Sequence, residues 1–354
     1  MTMLFSPLTL RSVTLPNRIV VSPMCQYSAV DGLPDEWHLV HLGSRAVGGA
    51  GLVFTEATAV EPRGRISPQD TGLWSDAHVE AWRPIAEFVR SQGAVPGIQL
   101  GHAGFKGSTH RPFDERRGGV PDEAGGWTPV GAGAEPFAPD YRTPEPLDEA
   151  GIRRIVEDFA SAAARAVDAG FQVVEVHAGH GYLLHQFYSP LVNHRTDRYG
   201  GDLANRIRLA VEVTGAVRAA VGEQVPVFVR ISATDWMDGG WTVEDSAVLA
   251  RGLAAAGADL IDVSSGGVVP SATIPVGPGY QLPLAGTVRR KADVPTGAVG
   301  LITDARQAEQ ALTDGSADLV LLGRELLRDP YWPLHAAAQL GEAVRPPAQY
   351  ARAF

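Results

Sequence analysis

The chain has 354 residues and a formal net charge of −10, which comes from 40 acidic and 30 basic side chains. A phosphate backbone selects a basic surface, so this acidity argues against a nucleic-acid partner, and the single cysteine, Cys25, excludes an intramolecular disulfide framework and any four-cysteine metal centre. The N-terminus lacks a basic segment followed by a long apolar one, and no run of about eighteen apolar residues occurs, so we expect a cytoplasmic protein without signal peptide or membrane span.

Short apolar runs that follow a helical stretch and a glycine recur along the chain, as in the segment from Gly49 to Thr55. Runs that are apolar nearly throughout are typical of strands buried on both faces of a parallel sheet. In chain order the predicted strands are Ile19–Met24, Gly51–Glu56, Val95–Leu100, Val173–Val176, Val227–Ile231, Leu260–Val263, Thr296–Val299 and Leu319–Leu322. The segments between them are predicted helices, among them Leu147–Ala169 and Leu203–Val221.

Eight strands that alternate with helices predict one closed (β/α)8 barrel, the TIM barrel, here with a hairpin at its N-terminus. No low-complexity segment or linker divides the chain, so residues 1–354 form one predicted domain. One connection, residues 103–146 after the third strand, is rich in Gly and Pro and lacks any periodicity. Loops of this length are usually lids or binding excursions, and we expect a lid here.

In this fold the active site is assembled at the C-terminal ends of the strands and in the loops that follow them. The residues predicted at or just after those positions are Ser22, Pro23, Met24, Cys25, Tyr27, Ala57, Gln99, His102, His177, His180, Tyr182, Arg230, Gly300, Gly323 and Arg324. This set supplies hydrogen-bond donors, one thiol and the guanidinium groups of Arg230 and Arg324. It lacks the carboxylate cluster that a metal centre needs, so we predict no metal site.

The last two strand ends suit a phosphate group. Glycines such as Gly300 and Gly323 let backbone N–H groups approach an anion closely, in the loops where this fold frequently binds phosphate. Arg324 comes next and could pair with the anion through two hydrogen bonds. The alternative is that both glycines only make tight turns between strand and helix.

His177 and His180 are three residues apart in the loop predicted after the fourth strand, so both imidazoles can point at one spot above the barrel. Two N–H donors there would stabilise the charge that develops on a carbonyl oxygen when hydride adds to the β-carbon. Tyr182 is placed to give a proton to the α-carbon. Two alternatives remain open, namely loop histidines tied to backbone carbonyls, or metal ligands without a third partner at a matching strand end.

Four other residues carry weaker signals by themselves. Arg230, at the end of a strand, is either one half of a buried ion pair or a fixed positive charge for a ligand. Gln99 offers both a donor and an acceptor. Cys25 is more often an inert buried side chain than a reactive thiol, and Tyr27 is more often a half-buried aromatic than a substrate donor.

Several motifs together give the chain a recognisable pattern: Ser22-Pro-Met-Cys-Gln-Tyr, Gln99-Leu-Gly-His-Ala-Gly, His177-Ala-Gly-His-Gly-Tyr-Leu-Leu-His-Gln-Phe, Asn193-His-Arg-Thr-Asp-Arg-Tyr-Gly-Gly, Gly323-Arg324 and Gln349-Tyr-Ala-Arg-Ala-Phe. With these motifs the chain resembles the old yellow enzyme family, and in particular its bacterial thermophilic-type NADPH dehydrogenases and ene-reductases. The resemblance extends over essentially the whole chain. The motif at the fourth strand and its Arg-Thr-Asp-Arg-Tyr-Gly-Gly sequel are highly specific.

By this resemblance, FMN is expected to lie across the barrel mouth. Its ring would be held by Ser22, Pro23, Met24, Cys25, Ala57, Gln99 and Arg230, and its phosphate by Gly300, Gly323 and Arg324. His177 and His180 would bind the substrate oxygen with help from Tyr27, and Tyr182 would donate the proton. Cys25 would lie against the ring and tune its redox potential, while Arg230 would favour the reduced, anionic ring.

The resemblance also implies an assembly of subunits. Residues 340–354 would form a tail that carries Arg352 into the active site of a neighbouring subunit, in a homodimer or homotetramer. The chain departs from the family's pattern at Phe105, where arginine is frequent, and at Phe354, where tryptophan is common. Both departures affect the shape of the pocket rather than the chemistry.

The reaction implied is hydride transfer from NADPH or NADH to FMN, followed by reduction of the C=C bond of an α,β-unsaturated carbonyl or nitro compound, in a ping-pong scheme at one shared site. A phosphosugar isomerase or aldolase on the same barrel is the alternative. An aldolase that forms a Schiff base needs a lysine at a strand end, and Lys106 and Lys291 are the only lysines. A metal-dependent hydrolase would need carboxylate ligands that the strand ends lack.

Overall fold

The computed structural model describes residues 2–343 and 346–353. The strands are β1 Leu8–Leu10, β2 Val13–Leu15, β3 Ile19–Val21, β4 Leu52–Ala59, β5 Val95–Gly101, β6 Val130–Gly131, β7 Glu145–Pro146, β8 Val173–Ala178, β9 Val227–Ser232, β10 Leu260–Ser264, β11 Thr296–Ala298 and β12 Leu319–Leu322. The helices are α1 Glu36–Val47, α2 Asp76–Ser91, α3 Glu149–Asp168, α4 Leu183–Tyr188, α5 Leu203–Val221, α6 Val243–Ala255, α7 Leu282–Ala292, α8 Ala305–Thr313, α9 Arg324–Arg328 and α10 Trp332–Leu340.

Eight of the strands close into a parallel barrel. Going round the barrel, the order is β3, β4, β5, β8, β9, β10, β11 and β12, and β12 pairs back onto β3 through Leu321 and Val20. Each barrel strand therefore neighbours the next one along the chain, with at least one helix between them. The predicted (β/α)8 barrel is confirmed.

On strands β8 and β9 the side chains that face the inside of the barrel change from apolar to polar along the strand. Side chains two residues apart point to the same face of a strand. On β8 the sequence therefore places Val173, Glu175 and His177 on one face, and Val173 belongs to the apolar cluster inside the barrel. On β9 the same spacing places Arg230 above Phe228, another member of that cluster. The polar residues thus line the barrel towards the C-terminal ends of its strands.

The predicted N-terminal hairpin packs against the apolar end of the barrel. Strands β1 and β2 pair antiparallel, with Leu8 opposite Leu15 and Leu10 opposite Val13. Val13 and Leu15 are buried in the same cluster as the apolar residues of the barrel interior. The end with the polar residues is therefore the one that can receive a ligand.

Most predicted element bounds agree with the structure to within three residues, and α5 and β12 agree at both ends. Helix α3 begins at Glu149 because the Asp148 carboxylate caps it by accepting a hydrogen bond from the Gly151 N–H at 2.6 Å, so the predicted start at Leu147 was too early. Strand β3 ends at Val21, so Met24 is not part of it.

Two bounds matter for the site. Strand β4 extends beyond Glu56 to Ala59, with a bulge between Phe54 and Ala57, so Ala57 lies within the strand and not after it. Strand β8 extends to Ala178, so the expectation that His177 lies in the loop was wrong. This strand is longer than predicted because His177 and Ala178 remain in the ladder with β9, opposite Arg230 and Ile231.

The long segment after β5 contains only short elements. These are 3-10 turns at Gly104–Lys106 and Asp122–Ala124 and the two-residue strands β6 and β7. It folds onto itself through aromatic contacts, with the ring centroids of Phe105 and Phe137 5.6 Å apart. Whether this segment acts as a lid stays a prediction.

At the C-terminus, α10 ends at Leu340 with Gly341 as its C-cap, and a 3-10 turn follows at Ala348–Tyr350. The tail prediction covers 340–354, of which residues 344–345 and 354 lie outside the described residues; the departure noted at Phe354 therefore has no structural description. Within the described part of the chain, no helix combines the length and apolar character needed to cross a membrane.

Candidate active site

The loop from β8 to α4 brings His177, His180 and Tyr182 together. The ring centroids of His177 and His180 are 5.1 Å apart, and those of His177 and Tyr182 are 5.0 Å apart, both in edge-to-face geometry. The loop turns sharply at Gly181, whose φ is +74°. A Cβ atom there would come within 2.1 Å of the Gly267 carbonyl oxygen, so only glycine fits.

Hydrogen bonds leave one ring nitrogen of each histidine available. The Gly179 N–H points at Nδ1 of His177 at 3.3 Å, which favours the tautomer with the proton on Nε2. Nε2 of His180 lies 2.7 Å from the Ser264 hydroxyl oxygen. Within the described chain, no residue bonds to Nε2 of His177 or to Nδ1 of His180. Two nitrogens are therefore available to an external oxygen atom.

The electrostatics keep both imidazoles neutral. Burial is the largest cause that lowers the pKa of His177 and of His180 well below the ordinary value, and the positive charge of Arg230 lowers both further. A neutral imidazole can donate one N–H bond without bringing a charge of its own. The pair is thus suited to an oxygen on which negative charge develops.

Tyr182 is half-buried at the start of α4, and burial raises the pKa of its phenol well above 10. Its proton is therefore retained at physiological pH and can be donated to a stronger base. Tyr182 and Tyr27 both line a cavity of about 530 Å³ at the mouth of the barrel, together with Lys106 and Tyr141. Burial also raises the pKa of Tyr27.

Lys106 fastens the long segment to the histidine loop. Its ammonium group donates to the His180 carbonyl oxygen at 2.8 Å and to the Gly267 carbonyl oxygen at 2.5 Å, and lies 4.2 Å from the centroid of the Phe137 ring. Burial lowers the pKa of Lys106 to about 7, while two carbonyl acceptors and an aromatic face favour its charged form. We assign Lys106 a role in positioning this loop.

Neither lysine is placed as a Schiff-base nucleophile at the barrel mouth. Lys106 is committed to the two carbonyls, and Lys291 lies near the end of α7, before β11 begins, where it pairs with Glu244 at 2.8 Å. Among the described residues there is also no group of three or more His, Cys, Asp or Glu side chains that could hold a metal ion.

The segment that follows β3 is held in place at both ends. The Ser22 N–H donates to the Leu322 carbonyl oxygen at 3.0 Å, and the Gln26 N–H donates to the Glu56 carboxylate at 3.0 Å. Between them lies the half-buried Cys25, whose thiol is close enough to the Tyr27 phenol for each group to affect the pKa of the other. Burial raises the pKa of Cys25 well above its ordinary value, so the thiol is protonated.

Two polar side chains inside the barrel are held by carboxylates. Arg230 Nε lies 3.0 Å from Asp262 Oδ2 on the neighbouring strand, so Arg230 is one half of a buried ion pair. Gln99 donates through Nε2 to Glu175 Oε1 at 2.8 Å, and the register of β4 and β5 places Ala57 opposite Gln99. This pairing orients the Gln99 amide so that its oxygen is available as an acceptor.

A cavity of about 150 Å³ lies at the ends of β11 and β12. The residues that line it include Arg230, Ser264, Tyr280, Gln281, Gly300, Gly323, Arg324 and Arg328. Gly300 has φ +125°, where other residues are strained, and a Cβ atom there would come within 3.0 Å of the Gln281 amide. Four predicted ligand-binding residues therefore meet at one cavity.

The unpaired polar groups fit FMN. A phosphate needs cationic and N–H donors, and the Arg324 guanidinium makes no hydrogen bond to any residue that the structure describes. The pyrimidine edge of the ring needs donors and an acceptor. The terminal nitrogens of Arg230 and the oxygen of Gln99 are likewise without a partner in the described ranges. Such groups at the barrel mouth are suited to a planar, anionic ligand.

The positions of the remaining predicted site residues say less about their function. Pro23 and Met24 are half-buried beside Cys25, and Met24 packs against the hydrophobic core. His102, at a strand end, is bonded to Glu61 through Nε2 at 2.9 Å and accepts the Gly104 N–H through Nδ1. Arg352 is exposed, far along the tail, and makes no hydrogen bond or ion pair with the rest of the described chain.

Sequence reasoning missed Ser264, Gln281 and Glu175. Ser264 ends β10 and could have been found, because it occupies a strand end like the residues that were chosen. Gln281 precedes α7 and donates to the Val299 carbonyl oxygen at 2.9 Å, and no motif pointed to it. Glu175 was read only as part of an apolar run.

The largest of these cavities, about 580 Å³, lies elsewhere, between the long segment and the loop that precedes α5. It is lined by residues that include Phe105, Phe137, His194, Arg195 and Val268. None of the predicted catalytic or cofactor-binding residues lines it, so size alone does not identify the active site.

The chain is similar to known proteins over nearly its whole length. Residues 3–342 match the NADH:flavin oxidoreductase / NADH oxidase family. The chain is 48% identical to the NADPH dehydrogenase of Geobacillus sp. (strain WCH70) over 355 residues, which cover 100% of this chain and 99% of that protein. Among solved structures it is similar to morphinone reductase, with a TM-score of 0.80, 29% identity and coverage of 99% of this chain and 92% of that chain.

The structure is also similar to an old yellow enzyme homologue from Zymomonas mobilis, with a TM-score of 0.77, 28% identity and coverage of 97% of this chain and 94% of that chain. The predicted resemblance to the old yellow enzymes is therefore confirmed, and with it the expectation of an oxidoreductase. The chain belongs to the NADH:flavin oxidoreductase / NADH oxidase family and is a flavin oxidoreductase that uses FMN and a nicotinamide electron donor.

Proposed function

We propose that this enzyme uses electrons from NADPH or NADH to reduce the C=C bond of α,β-unsaturated carbonyl or nitro compounds, in two half-reactions at one site. The observation that carries the proposal is the convergence of three neutral donors, His177, His180 and Tyr182: the ring centroids of His180 and Tyr182 each lie about 5 Å from that of His177. Two can bind an oxygen while the third donates a proton, as addition of hydrogen across an activated double bond requires. NADPH as the donor is supported by the name of the Geobacillus relative.

FMN, when bound, would accept hydride from the nicotinamide and deliver it to the β-carbon of the alkene. Ser22, Pro23, Met24, Cys25, Ala57, Gln99 and Arg230 would hold its ring. Gly300, Gly323 and Arg324 would hold its phosphate. This arrangement is supported by the polar groups that lack a partner among the described residues. The Gln99 oxygen and the terminal nitrogens of Arg230 suit the ring, and the Arg324 guanidinium suits the phosphate.

The side chains would have separate roles: some would stabilise the developing charge and another would donate the proton. Nε2 of His177 and Nδ1 of His180 would bind the carbonyl or nitro oxygen and stabilise the charge that builds there. Tyr182 would then transfer its phenol proton to the α-carbon. Tyr27 would assist at the oxygen. The Cys25 thiol, which lies near the Tyr27 phenol, would contact the ring, where the sulfur would tune the redox potential.

Assembly and location belong to the same proposal. The exposed Arg352 would enter the active site of a neighbouring subunit, which makes the enzyme a homodimer or homotetramer. An unpaired thiol suits a reducing compartment, so we place the enzyme in the cytoplasm. The segment 103–146 would act as a lid, because Lys106 ties it to the loop that carries His180.

The proposal is tested by replacing both histidines. In His177→Ala/His180→Ala, we expect KM for cyclohexenone to rise roughly 10- to 100-fold, since each lost hydrogen bond is worth about 0.5–1.5 kcal/mol. Bound FMN, measured by absorbance after gel filtration, should stay at the wild-type level. The matched control is His194→Ala, at an exposed histidine outside the mouth cavity.

Loss of FMN from the double variant would show that the histidines hold the cofactor and not the substrate. An unchanged KM would show that they do not bind the substrate oxygen. Initial rates with both substrates varied should give parallel lines in double-reciprocal plots, whereas intersecting lines would contradict the shared site.

A further inference from the structure

Two acidic side chains and one basic side chain are buried together below the barrel mouth. Glu175 on β8 and Asp262 on β10 are fully buried, and Arg230 on β9, between them, is 5% exposed. The ladder places Arg230 opposite Asp262 on one side and opposite His177 on the other. Glu175 precedes His177 by two residues and so lies on the same face of its strand, one layer deeper.

The two acids have different surroundings. Asp262 has the Arg230 guanidinium 3.0 Å away and thus a full opposite charge beside it. Glu175 has only the neutral Gln99 amide, which donates to Oε1 at 2.8 Å. Its other oxygen, Oε2, is completely buried and has no hydrogen-bond partner among the described residues, and the same holds for both oxygens of Asp262. The two acids therefore differ in the charge of Arg230, which lies against Asp262.

The net charge of the cluster favours a state in which one of the two acids keeps its proton. If both acids were ionised, the cluster would carry a net charge of −1 in a dry interior, and one Glu175 oxygen would have no donor at all. If only Asp262 is ionised, its charge is offset by Arg230 and the cluster is neutral. Burial and the negative charge of Asp262 raise the pKa of Glu175 well above its ordinary value, although Arg230 and the Gln99 hydrogen bond lower it. Burial raises the pKa of Asp262 only to about 6, because the Arg230 charge opposes the shift, so Asp262 is the acid that ionises first.

We propose that Glu175 is a permanently protonated acid that positions the Gln99 amide, while Asp262 is the ionised carboxylate that attenuates the positive charge of Arg230 at the flavin site. In this arrangement the carbonyl oxygen of the neutral acid accepts the Gln99 N–H. The Gln99 oxygen is thereby turned outward as an acceptor. Glu175 acts through orientation, and Asp262 acts through charge.

The inference rests on the proposed place of the ring beside Gln99 and Arg230. A positive charge next to the ring stabilises its reduced, anionic state and raises its midpoint potential. Asp262 counteracts that effect, so Arg230 contributes less than an isolated guanidinium would. The chain thus sets the redox potential of the flavin with a pair of charges rather than with one.

The test compares two substitutions of a carboxyl by an amide in the same cluster, Glu175→Gln and Asp262→Asn, in the FMN-loaded enzyme. The midpoint potential of the flavin, measured by anaerobic spectroelectrochemistry, should be unchanged in E175Q, because glutamine mimics the neutral acid in shape and hydrogen bonding. It should rise in D262N, because the charge that offsets Arg230 is gone. A shift in E175Q as large as that in D262N, or a shift in E175Q alone, would overturn the proposal.

A second measurement does not depend on D262N folding normally. Infrared spectra of the holoenzyme should contain the C=O band of a protonated, buried carboxyl, and this band should be absent from E175Q. Its absence from the wild type would contradict a neutral Glu175. These outcomes are separable from failure of the proposed function, because a wild-type protein that holds no FMN would refute that function before either variant is made.

Discussion

At the scale of single residues, protonation states decide what the site can do. Burial leaves His177 and His180 neutral and keeps the phenol proton on Tyr182. A protonated histidine would bind an anion in the resting state, whereas a neutral pair binds an oxygen weakly until charge develops on it. The chemistry therefore depends on the burial of these three side chains as much as on their identity.

The proton donor can be tested by Tyr182→Phe, which removes only the hydroxyl group. We expect kcat for cyclohexenone reduction to fall about 10²- to 10⁴-fold, the usual contribution of a positioned acid. Stopped-flow measurement of flavin reduction by NADPH should give the wild-type rate, because that half-reaction uses no proton from Tyr182.

The control for this variant is Tyr141→Phe, which removes a hydroxyl group from the same cavity. Its turnover should stay near the wild-type value. Equal losses in both variants, or an unchanged rate in Y182F, would show that the proton comes from elsewhere.

Site residues could be predicted from the sequence where they stand close together in the chain, and not where they come from different strands. His177, His180 and Tyr182 stand close together in the chain next to a clear strand, so their convergence was predictable. The ion pair of Arg230 with Asp262 joins side chains from two strands, and the alternatives stayed open until the register was known. Glu175 was missed because a carboxyl within an apolar run gives no motif.

At the scale of elements, the loop between β8 and α4 is fixed by close backbone contact. His180 has φ +57° and Gly181 has φ +74°, so two successive residues are in the left-handed region. The absence of a side chain at Gly181 lets the loop approach Gly267, and Lys106 then bonds to both sides of the contact. The geometry of the histidine pair follows from this packing.

Gly181→Ala tests this contact against Gly215→Ala, the same substitution at an open position in α5. We expect G181A to lower the free energy of unfolding by about 1–3 kcal/mol through overpacking and an unfavourable φ. G215A should raise it by roughly 0.5–1 kcal/mol, because alanine suits a helix interior better than glycine. Urea denaturation followed by circular dichroism measures both, and a neutral G181A would contradict the packing argument.

Element bounds were predictable wherever apolar periodicity and caps agree. Strand β12 and helix α5 match at both ends because an apolar run and the Asp202 cap define them clearly. Strand β8 was predicted too short because the apolar run is interrupted by His177, a polar residue near the end of the strand. Polar site residues within a strand interrupt the apolar run by which the strand is predicted from the sequence.

At the scale of the whole molecule, the barrel could be predicted because one strand–helix unit repeats along the chain, and such a repeat is visible in the sequence. The fold of residues 103–146 was not predictable, because its aromatic contacts, such as Phe137 with Tyr141 at 5.0 Å, join positions without periodicity. The role of Arg352 depends on a second subunit, so it too stays a prediction.

The most direct test of the central claim, a flavin seated at the barrel mouth opposite His177 and His180, is an anaerobic absorbance titration of the purified wild-type protein. We predict a yellow protein whose flavin absorbance bleaches on addition of NADPH and returns on addition of cyclohexenone. A colourless protein, or a bleached flavin that cyclohexenone leaves reduced, would contradict the account.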